Sequence, residues 1–205
     1  DTGYGNGLNV TRSVREYESR GVAAIHIEDQ VAPKRCGHLD GKEVIPRAHF
    51  VSKIRAAVQA RRTQDFVVIA RTDARAMLSL DEAVWRANAA LDAGADMAFV
   101  EATQTIEEVA AVPKQVKGPC LLNVVPGGRT PIFDLRQAQE MGYRLAILPG
   151  LMLKAAIEAG DAALAELKRT HQAPAVSQGV AQTSPRFGAD EWDALRPRFN
   201  AGAAM

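Results

Sequence analysis

Residues 94–148, GADMAFVEATQTIEEVAAVPKQVKGPCLLNVVPGGRTPIFDLRQAQEMGYRLAIL, contain the repeat that decides the fold. Three glycines that precede apolar segments, Gly94, Gly118 and Gly142, follow one another at a constant spacing of 24 residues, the length of one compact strand–helix unit. The apolar segments are continuous rather than alternating, which indicates strands buried on both faces, as in a parallel sheet covered by helices. The pattern favours a (β/α) barrel over a doubly wound sheet, and no Gly-x-Gly-x-x-Gly turn opens a helix.

The alternation of helices and strands extends outward over the chain. Strands are predicted at 22–28, 66–72, 97–101, 120–125 and 143–148, and helices at 10–19, 47–61, 81–92 with Asp81 as N-cap, 106–116, 133–141 and 151–168. A (β/α)8 TIM barrel has eight strands and typically ~250 residues. Because the chain starts in a loop without Met, we expect an N-terminally incomplete α/β barrel with about five of the eight strands. We predict a partial barrel at 1–170 and a C-terminal arm at 171–205 that packs on a neighbouring subunit.

Composition excludes several classes of function. With 205 residues and 47% hydrophobic content, the chain can bury one sizeable core. A net charge of +1 gives no support for a nucleic-acid or membrane-surface partner, and there is no secretory signal or apolar run approaching the ~20 residues of a membrane span. The two cysteines lie in unlike contexts, which argues against a disulfide framework and makes the cytoplasm the expected compartment.

Polar side chains follow the predicted strands at the point where each strand ends. In a barrel the C-terminal ends of the strands form the active site. Converging carboxylates suggest a hard cation bound through oxygen, most simply Mg²⁺, and an arginine among them could hold a substrate carboxylate through its planar fork. Neutral side chains nearby could donate further hydrogen bonds. The residues concerned are Glu28, Asp29, Arg71, Asp73, Glu101 and Asn123, with Arg129 and Thr130 in the loop that follows.

The run Pro33-Lys34-Arg35-Cys36-Gly37-His38 follows the first predicted strand. Two cations and a histidine around a thiol favour the thiolate form, and the glycine provides mobility. Cys36 could therefore move a proton near neutral pH, with Lys34 and His38 assisting. This combination predicts chemistry on a small anionic substrate.

These motifs resemble the isocitrate lyase/phosphoenolpyruvate mutase superfamily. The resemblance spans residues 1 to about 150 in order, and its most specific element is Lys34–His38; it is carried by residues 1–6, 26–30, 33–38, 70–74, 100–102 and 123–131. It implies an α/β barrel with Mg²⁺ (or Mn²⁺) near the strand ends, and a homotetramer whose C-terminal helices are exchanged between subunits. It also implies α-oxyacid substrates that react through enolate-like intermediates.

The resemblance assigns roles by position. Asp1 and Glu28 resemble the metal-shell carboxylates, and Cys36 resembles the acid/base residue of the lyases, carried on a mobile lid. The remaining matches are lid residues Lys34, Arg35, Gly37 and His38, substrate and metal-water ligands Arg71, Glu101 and Asn123, and distal-carboxylate residues Gly128, Arg129 and Thr130.

Two departures from the family pattern narrow the prediction. The first aspartate of the usual Asp-Ala-Asp-Thr-Gly loop is absent, and no serine-rich segment follows Asn123, which disfavours isocitrate as substrate. The Gly-Gly-Arg-Thr-Pro loop is similar to that of the short-chain members, which are methylisocitrate and dimethylmalate lyases, oxaloacetate-processing enzymes and carboxyphosphonoenolpyruvate mutases. We therefore predict a Mg²⁺-dependent carbon–carbon lyase acting on a 2-hydroxy or 2-oxo di- or tricarboxylate. The alternatives are an oxaloacetate decarboxylase, a carboxyphosphonoenolpyruvate phosphonomutase, or an inactive truncated barrel that serves as a structural subunit.

Overall fold

A computed structural model describes residues 1–131 and 134–199 of the chain. The described residues form two compact units that divide after Met152, and the two units are described separately. Phe133, predicted to start a helix, and residues 200–205 of the predicted arm lie outside the described residues. The elements are α1 (Gly7–Ser19), β1 (Ala24–Glu28), α2 (Arg47–Ala60), β2 (Val67–Thr72), α3 (Leu80–Asp92), β3 (Met97–Val100), α4 (Ile106–Gln115), β4 (Cys120–Asn123), α5 (Leu135–Met141), β5 (Leu145–Ile147), α6 (Leu151–Thr170), α7 (Val180–Thr183) and α8 (Ala189–Phe199).

The five strands of the first unit form one parallel sheet in the order β1-β2-β3-β4-β5. Each strand therefore pairs with its sequence neighbour, as successive strands of a (β/α) barrel do. The sheet curls as an open half-barrel, and the predicted α/β barrel architecture is confirmed. Because all strands run the same way, their C-terminal ends meet at one edge, where Glu28 lies opposite Arg71 in the register of β1 and β2.

The central strands β2, β3 and β4 are largely buried on both faces, as the continuous apolar runs predict, whereas the edge strands β1 and β5 are partly exposed. The inner face carries a small cluster of Ile69, Phe99 and Leu121. The outer face packs against the helices in two larger clusters, to which α3 contributes a stripe of alanines that allows close helix–sheet approach. The core therefore lies mainly between the sheet and its helices.

The start of α3 differs from the prediction. Its N-cap is Ser79, whose extended backbone lets the side-chain oxygen accept from the N–H of Glu82. Asp81 is not the cap but lies in the first turn, where a carboxylate interacts favourably with the positive end of the helix dipole. The sequence offered two capping residue types two positions apart, and the backbone conformation at Ser79 decided between them.

Gly142 ends α5 in the left-handed conformation, with φ of +111°. This conformation favours glycine, and the turn feeds the chain directly into β5. The constant glycine spacing in the sequence therefore marks a real helix-to-strand connection at this position.

The second unit contains most of α6 together with α7, a short 3₁₀ turn at Ser184–Phe187, and α8. Its large apolar side chains are exposed, including Phe187, Trp192 and Phe199. No helix within residues 1–131 and 134–199 is both long and apolar enough to cross a membrane. The boundary near residue 170 and the packing of the arm on another subunit stay predictions.

Candidate active site

A buried arginine lies at the centre of the strand ends. Arg71, on β2, places its Nε 3.1 Å from Glu28 Oε2 and 2.9 Å from Asp73 Oδ2, and its Nη2 3.2 Å from Glu101 Oε2. Burial disfavours the charged guanidinium, but the hydrogen bonds from it to Asp73 and the charges of Glu101 and Glu28 outweigh burial and raise the pKa of Arg71. The four side chains come from three neighbouring strand ends and form one cluster of ion pairs.

The cluster carries more negative than positive charge. Lys34 adds a second cation, with its Nζ 3.2 Å from Glu28 Oε1, so two cations face the three carboxylates. The side-chain oxygen of Asn123 is buried and accepts no hydrogen bond from the described residues, and the two buried carboxylate oxygens of Glu28 contact the cations Lys34 and Arg71. Buried carboxylate and amide oxygens in an acidic site are the donor set that a hard cation such as Mg²⁺ prefers. These residues therefore fit the metal that the sequence predicts.

The predicted metal ligand Asp1 lies beside the end of β1. Its backbone carbonyl accepts from the N–H of Glu28 at 3.0 Å, while its carboxylate accepts from the N–H of Thr2 at 2.6 Å. Within residues 1–131 and 134–199, no group of three or more His, Cys, Asp or Glu side chains is arranged to hold a metal ion. Asp1 and Glu28 as a ligand pair stay a prediction.

Glu101, directly after β3, is fixed from several sides. One oxygen accepts from the N–H of Ala102 at 2.8 Å and lies 3.3 Å from His38 Nε2, and the other accepts from Asn123 Nδ2 at 3.0 Å. Ala102 is buried with a left-handed φ of 60°, an uncommon conformation for alanine. The turn after β3 is therefore held in a strained backbone that aims Glu101 at the cluster.

The Lys34–His38 segment packs directly onto this cluster. Gly37 is buried, and a Cβ built on it would lie 2.5 Å from Glu101 Cγ and 2.6 Å from Arg71 Nη2. Cys36, one residue earlier, has an exposed side chain. The loop predicted to be a lid is thus seated on the strand ends, and only glycine allows the backbone to come so close.

The loop after β4 closes the other side of the site. The N–H of Arg129 donates to His38 Nδ1 at 3.0 Å, and a Cβ on Gly128 would lie 2.7 Å from the same atom. The Arg129 side chain pairs with Asp40 and donates to the His38 carbonyl at 3.4 Å, so it braces the lid. Thr130 is buried in the same loop. The structure thus brings most of the predicted site residues into one cluster at the strand ends, in which Gly128 and Arg129 contact His38. The other members are Glu28, Lys34, Gly37, Arg71, Glu101 and Asn123.

The structure adds a supporting residue, Arg86, to which the sequence reasoning assigned no role, and it places Asp29, predicted among the strand-end carboxylates, in supporting contacts. Asp29 accepts from Thr72 Oγ1 at 2.7 Å, from the N–H of Asp73 at 2.8 Å and from Arg86 Nη1 at 3.1 Å. Burial raises the pKa of Asp29 to about 6, so the carboxylate is ionised at neutral pH and pairs with Arg86. Asp29 thereby holds Asp73, which in turn holds Arg71. Arg86 lies on the same face of α3 as the buried alanines, and a charged residue on an apolar helix face is the sequence feature from which its role could have been predicted.

We expect Gly37→Ala to reduce kcat by about 10²-fold, because a displacement of the lid by about 1 Å misplaces the reacting groups. The added methyl group would meet Glu101 and Arg71, which are buried and cannot move aside. Steady-state kinetics on the best acid substrate measures the effect. Gly160→Ala is the matched control, since a Cβ there meets nothing within 4 Å. Unchanged turnover of the Gly37→Ala protein would contradict the seated position of the lid.

The two thiols are expected to differ in reactivity. Cys36 is exposed, whereas Cys120 is buried on β4 and burial raises its pKa to about 11. At pH 8 a disulfide reagent such as dithionitrobenzoate should titrate one thiol in the native protein and a second only after denaturation. Peptide mapping identifies the labelled residue. Rapid native labelling of Cys120 would contradict the buried strand position.

The chain is similar to known proteins over most of its length. A family model described as phosphoenolpyruvate phosphomutase matches residues 1–168. The 2,3-dimethylmalate lyase of Eubacterium barkeri is 45% identical over 159 residues, which cover 78% of this chain and 55% of that protein. The 2-methylisocitrate lyase of Aeropyrum pernix is 46% identical over 167 residues, covering 82% and 54% respectively. The chain thus spans about half the length of these curated relatives, 55% and 54%.

Solved structures extend the likeness over the whole chain. A crystal structure of 2,3-dimethylmalate lyase, described as a PEP mutase/isocitrate lyase superfamily member, has a TM-score of 0.89 and 41% identity and covers 100% of this chain and 71% of that one. A phosphonopyruvate hydrolase in complex with oxalate and Mg²⁺ has a TM-score of 0.82 and 32% identity, with 97% and 70% coverage.

Proposed function

Because the chain belongs to the PEP mutase/isocitrate lyase superfamily, we propose that it is a Mg²⁺-dependent carbon–carbon lyase. Its substrate would be a 2-hydroxy or 2-oxo di- or tricarboxylate, and its product would be of the pyruvate or glyoxylate type. One observation carries the proposal: the loop that bears Cys36 is seated on the buried cluster of Arg71, Glu28 and Glu101. The named lyase relatives support the reaction type.

The strand-end cluster would bind and orient the α-oxyacid end of the substrate. Arg71 presents a buried planar guanidinium that stays charged, and such a group recognises carboxylates through paired hydrogen bonds. Asn123 lies on the neighbouring side of Glu101, where its amide can contribute a neutral donor. Fixed donors in a site that excludes water stabilise negative charge as it develops during bond cleavage.

The side-chain oxygen of Asn123, which accepts no hydrogen bond from the described residues, and the buried carboxylate of Glu28 would face the metal, directly or through water. When bound, a divalent cation supplies Lewis-acid stabilisation of the oxygen on which charge develops. The magnesium-containing relative supports this choice of ion. Two cations against three carboxylates leave the site acidic enough to favour a cation in addition to an anionic substrate.

Cys36 would act as the proton donor. In a 2-hydroxy acid the hydroxyl would give its proton to a carboxylate of the strand-end cluster and become the carbonyl of one product as the carbon–carbon bond breaks. The electron pair of that bond would stay on the departing carbon as an enolate-like fragment, and the Cys36 thiol would transfer its proton to that carbon. Closure of the lid over the bound substrate would bring Cys36 in and exclude water from the fragment before protonation. His38 and Lys34 hold the lid on the cluster through Glu101 and Glu28. The phosphonomutase alternative transfers a phosphoryl group and gives the thiol no comparable task.

A substrate screen tests the proposal. The protein is incubated with a panel of 2-hydroxy and 2-oxo diacids and triacids in Mg²⁺, and release of pyruvate or glyoxylate is followed with a coupled dehydrogenase. We expect turnover of at least one acid, with loss of activity in excess EDTA and recovery on adding Mg²⁺. Carbon dioxide release from oxaloacetate alone would favour the decarboxylase, and no turnover at all would favour a structural subunit.

The predicted homotetramer with exchanged C-terminal helices belongs to the same proposal. The exposed apolar side chains of α8 and of the turn before it, Trp192, Phe199 and Phe187, support a covered surface in the assembled protein. Sedimentation equilibrium should give the mass of four chains. A monomer that does not associate at any concentration would remove this part of the proposal.

A further inference from the structure

The residue before Cys36 is held by a buried side chain that the mechanism above does not use. Gln30 is 1% exposed and donates from Nε2 to the carbonyl of Arg35 at 2.9 Å, while its Oε1 accepts from the N–H of Arg35 at 3.0 Å. Both backbone polar groups of Arg35 are therefore satisfied by one amide side chain. Such paired hydrogen bonds fix both the position and the orientation of a peptide segment.

The residue after Cys36 is held in a similar way from the other side. Lys42 is 9% exposed, and its ammonium donates to the carbonyls of Gly37 and Leu39, the latter at 2.7 Å. The N–H of Leu39 also donates to the carbonyl of Cys36 at 3.0 Å, which closes a tight turn. A buried ammonium needs such partners, because a lysine without them would be costly to desolvate.

The ends of the loop are secured independently of these two side chains. The N–H of Val31 donates to the carbonyl of Glu43 and the N–H of Ile45 donates to that of Asp29, both at 2.8 Å. Arg86 also donates to the Ile45 carbonyl at 2.8 Å. Gln30 and Lys42 line one small cavity of about 140 Å³ inside the loop. The contacts of Gln30 and Lys42 are therefore needed for the conformation of the loop tip, residues 35–39, and not for the attachment of the loop.

We propose that Gln30 and Lys42 are positioning residues that clamp the backbone on either side of Cys36 and so set the place of its thiol above the strand-end cluster. Neither side chain needs to touch the substrate. The effect that we predict on kcat rests on the proposed function, whereas the effect that we predict on the conformation of the loop does not. Cys36 itself stays exposed because its two neighbours, and not its own side chain, carry the anchoring contacts.

The test compares Gln30→Leu, Gln30→Glu and Lys42→Met with a matched control, Asn88→Leu. The side-chain amide of Asn88 likewise forms two hydrogen bonds with a backbone segment: it donates to the carbonyl of Gln115 at 3.1 Å and accepts from the N–H of Lys117 at 2.8 Å. Both partners are distant in sequence from the lid. Gln30→Glu keeps the acceptor for the Arg35 N–H but loses the donor. Native folding of each variant is checked by circular dichroism and thermal unfolding.

Two readouts follow the loop without reference to turnover: tryptic cleavage of the Arg35–Cys36 bond and hydrogen exchange of the peptide 31–41. For Gln30→Leu and Lys42→Met we expect both rates to rise at least about tenfold, because each variant loses two hydrogen bonds that keep the tip closed. Gln30→Glu should show a smaller rise, and Asn88→Leu should match the wild type. For the acid that the wild type cleaves, kcat should fall about tenfold or more with little change in KM in the two stronger variants.

The outcomes separate the two proposals. Wild-type loop rates in folded Gln30→Leu and Lys42→Met proteins, or an equal rise in Asn88→Leu, would overturn the clamp. A loosened loop with unchanged kcat would overturn its positioning role in catalysis. If the wild-type protein cleaves no acid while the loop rates respond as expected, the proposed function fails and the clamp on the Cys36 backbone stands.

Discussion

Replacing Cys36 by serine is expected to lower carbon–carbon cleavage by about 10³-fold, within the range that general acid–base groups contribute. A serine hydroxyl is a much weaker acid than a thiol, so it cannot give its proton to the departing carbanion at a useful rate. Substrate binding should change little, because the strand-end cluster is untouched. Stability should change little as well, since the Cys36 side chain is exposed.

The measurement is kcat and KM of the Cys36→Ser protein on the best acid from the screen. Cys120→Ser is the matched control, a thiol removed from the buried strand β4, and it should keep a normal kcat in the fraction that folds. A Cys36→Ser protein that cleaves the acid at a wild-type rate would remove the thiol from the mechanism. A protein that loses cleavage but still decarboxylates oxaloacetate would show that the two reactions place different demands on the lid.

Arg71→Met is expected to be the most damaging single substitution in the cluster. The change leaves Glu28, Asp73 and Glu101 buried around an apolar side chain, and breaking a buried ion pair in this way costs about 3–5 kcal/mol of unfolding free energy. Activity should fall below detection because the carboxylate-binding guanidinium is gone. Chemical denaturation and kcat/KM measure the two effects separately.

A matched control for Arg71 is Arg75→Met. Arg75 also forms an ion pair with two hydrogen bonds, to Glu108, but this pair lies near the surface. Such a pair contributes about 0–1 kcal/mol to the unfolding free energy. Arg71→Lys should restore part of the stability through its charge but little of the activity, since an ammonium lacks the planar fork. Equal destabilisation by Arg71→Met and Arg75→Met would contradict a buried, mutually dependent cluster at the strand ends.

The strand ends were predictable because each apolar run stops at a polar residue in a parallel sheet. Glu28, Arg71, Glu101 and Asn123 could thus be grouped before any coordinates, and the structure brings them together. The strand boundaries were less accurate: residue 101 was assigned to a strand, but β3 ends at Val100. Hydrophobicity locates a strand, whereas its last ladder hydrogen bond depends on the partner strand.

The supporting residues were not predictable in the same way. Lys42 lies in a polar loop whose composition is typical of exposed charge, and only the folding of the loop onto itself buries it. Gln30 lies in one of the segments that carry the family resemblance, but no role could be predicted for it. The sequence does not indicate which backbone groups an amide side chain will contact. Arg129 was predicted to lie near the distal carboxylate of the substrate, which stays a prediction, and its pairing with Asp40 on the lid was not foreseen. Long-range contacts of this kind depend on the loop path, which local sequence does not encode.

The most direct measurement of the central claim is ¹H and ¹³C NMR of the products formed from the acid that turns over fastest, with the reaction run in D₂O and Mg²⁺. A lyase that protonates an enolate-like fragment should give two carbon fragments in equal amounts, with a single deuterium on the carbon where the bond was broken. Carbon dioxide as the only small fragment, or fragments that carry no deuterium at that carbon, would contradict the account.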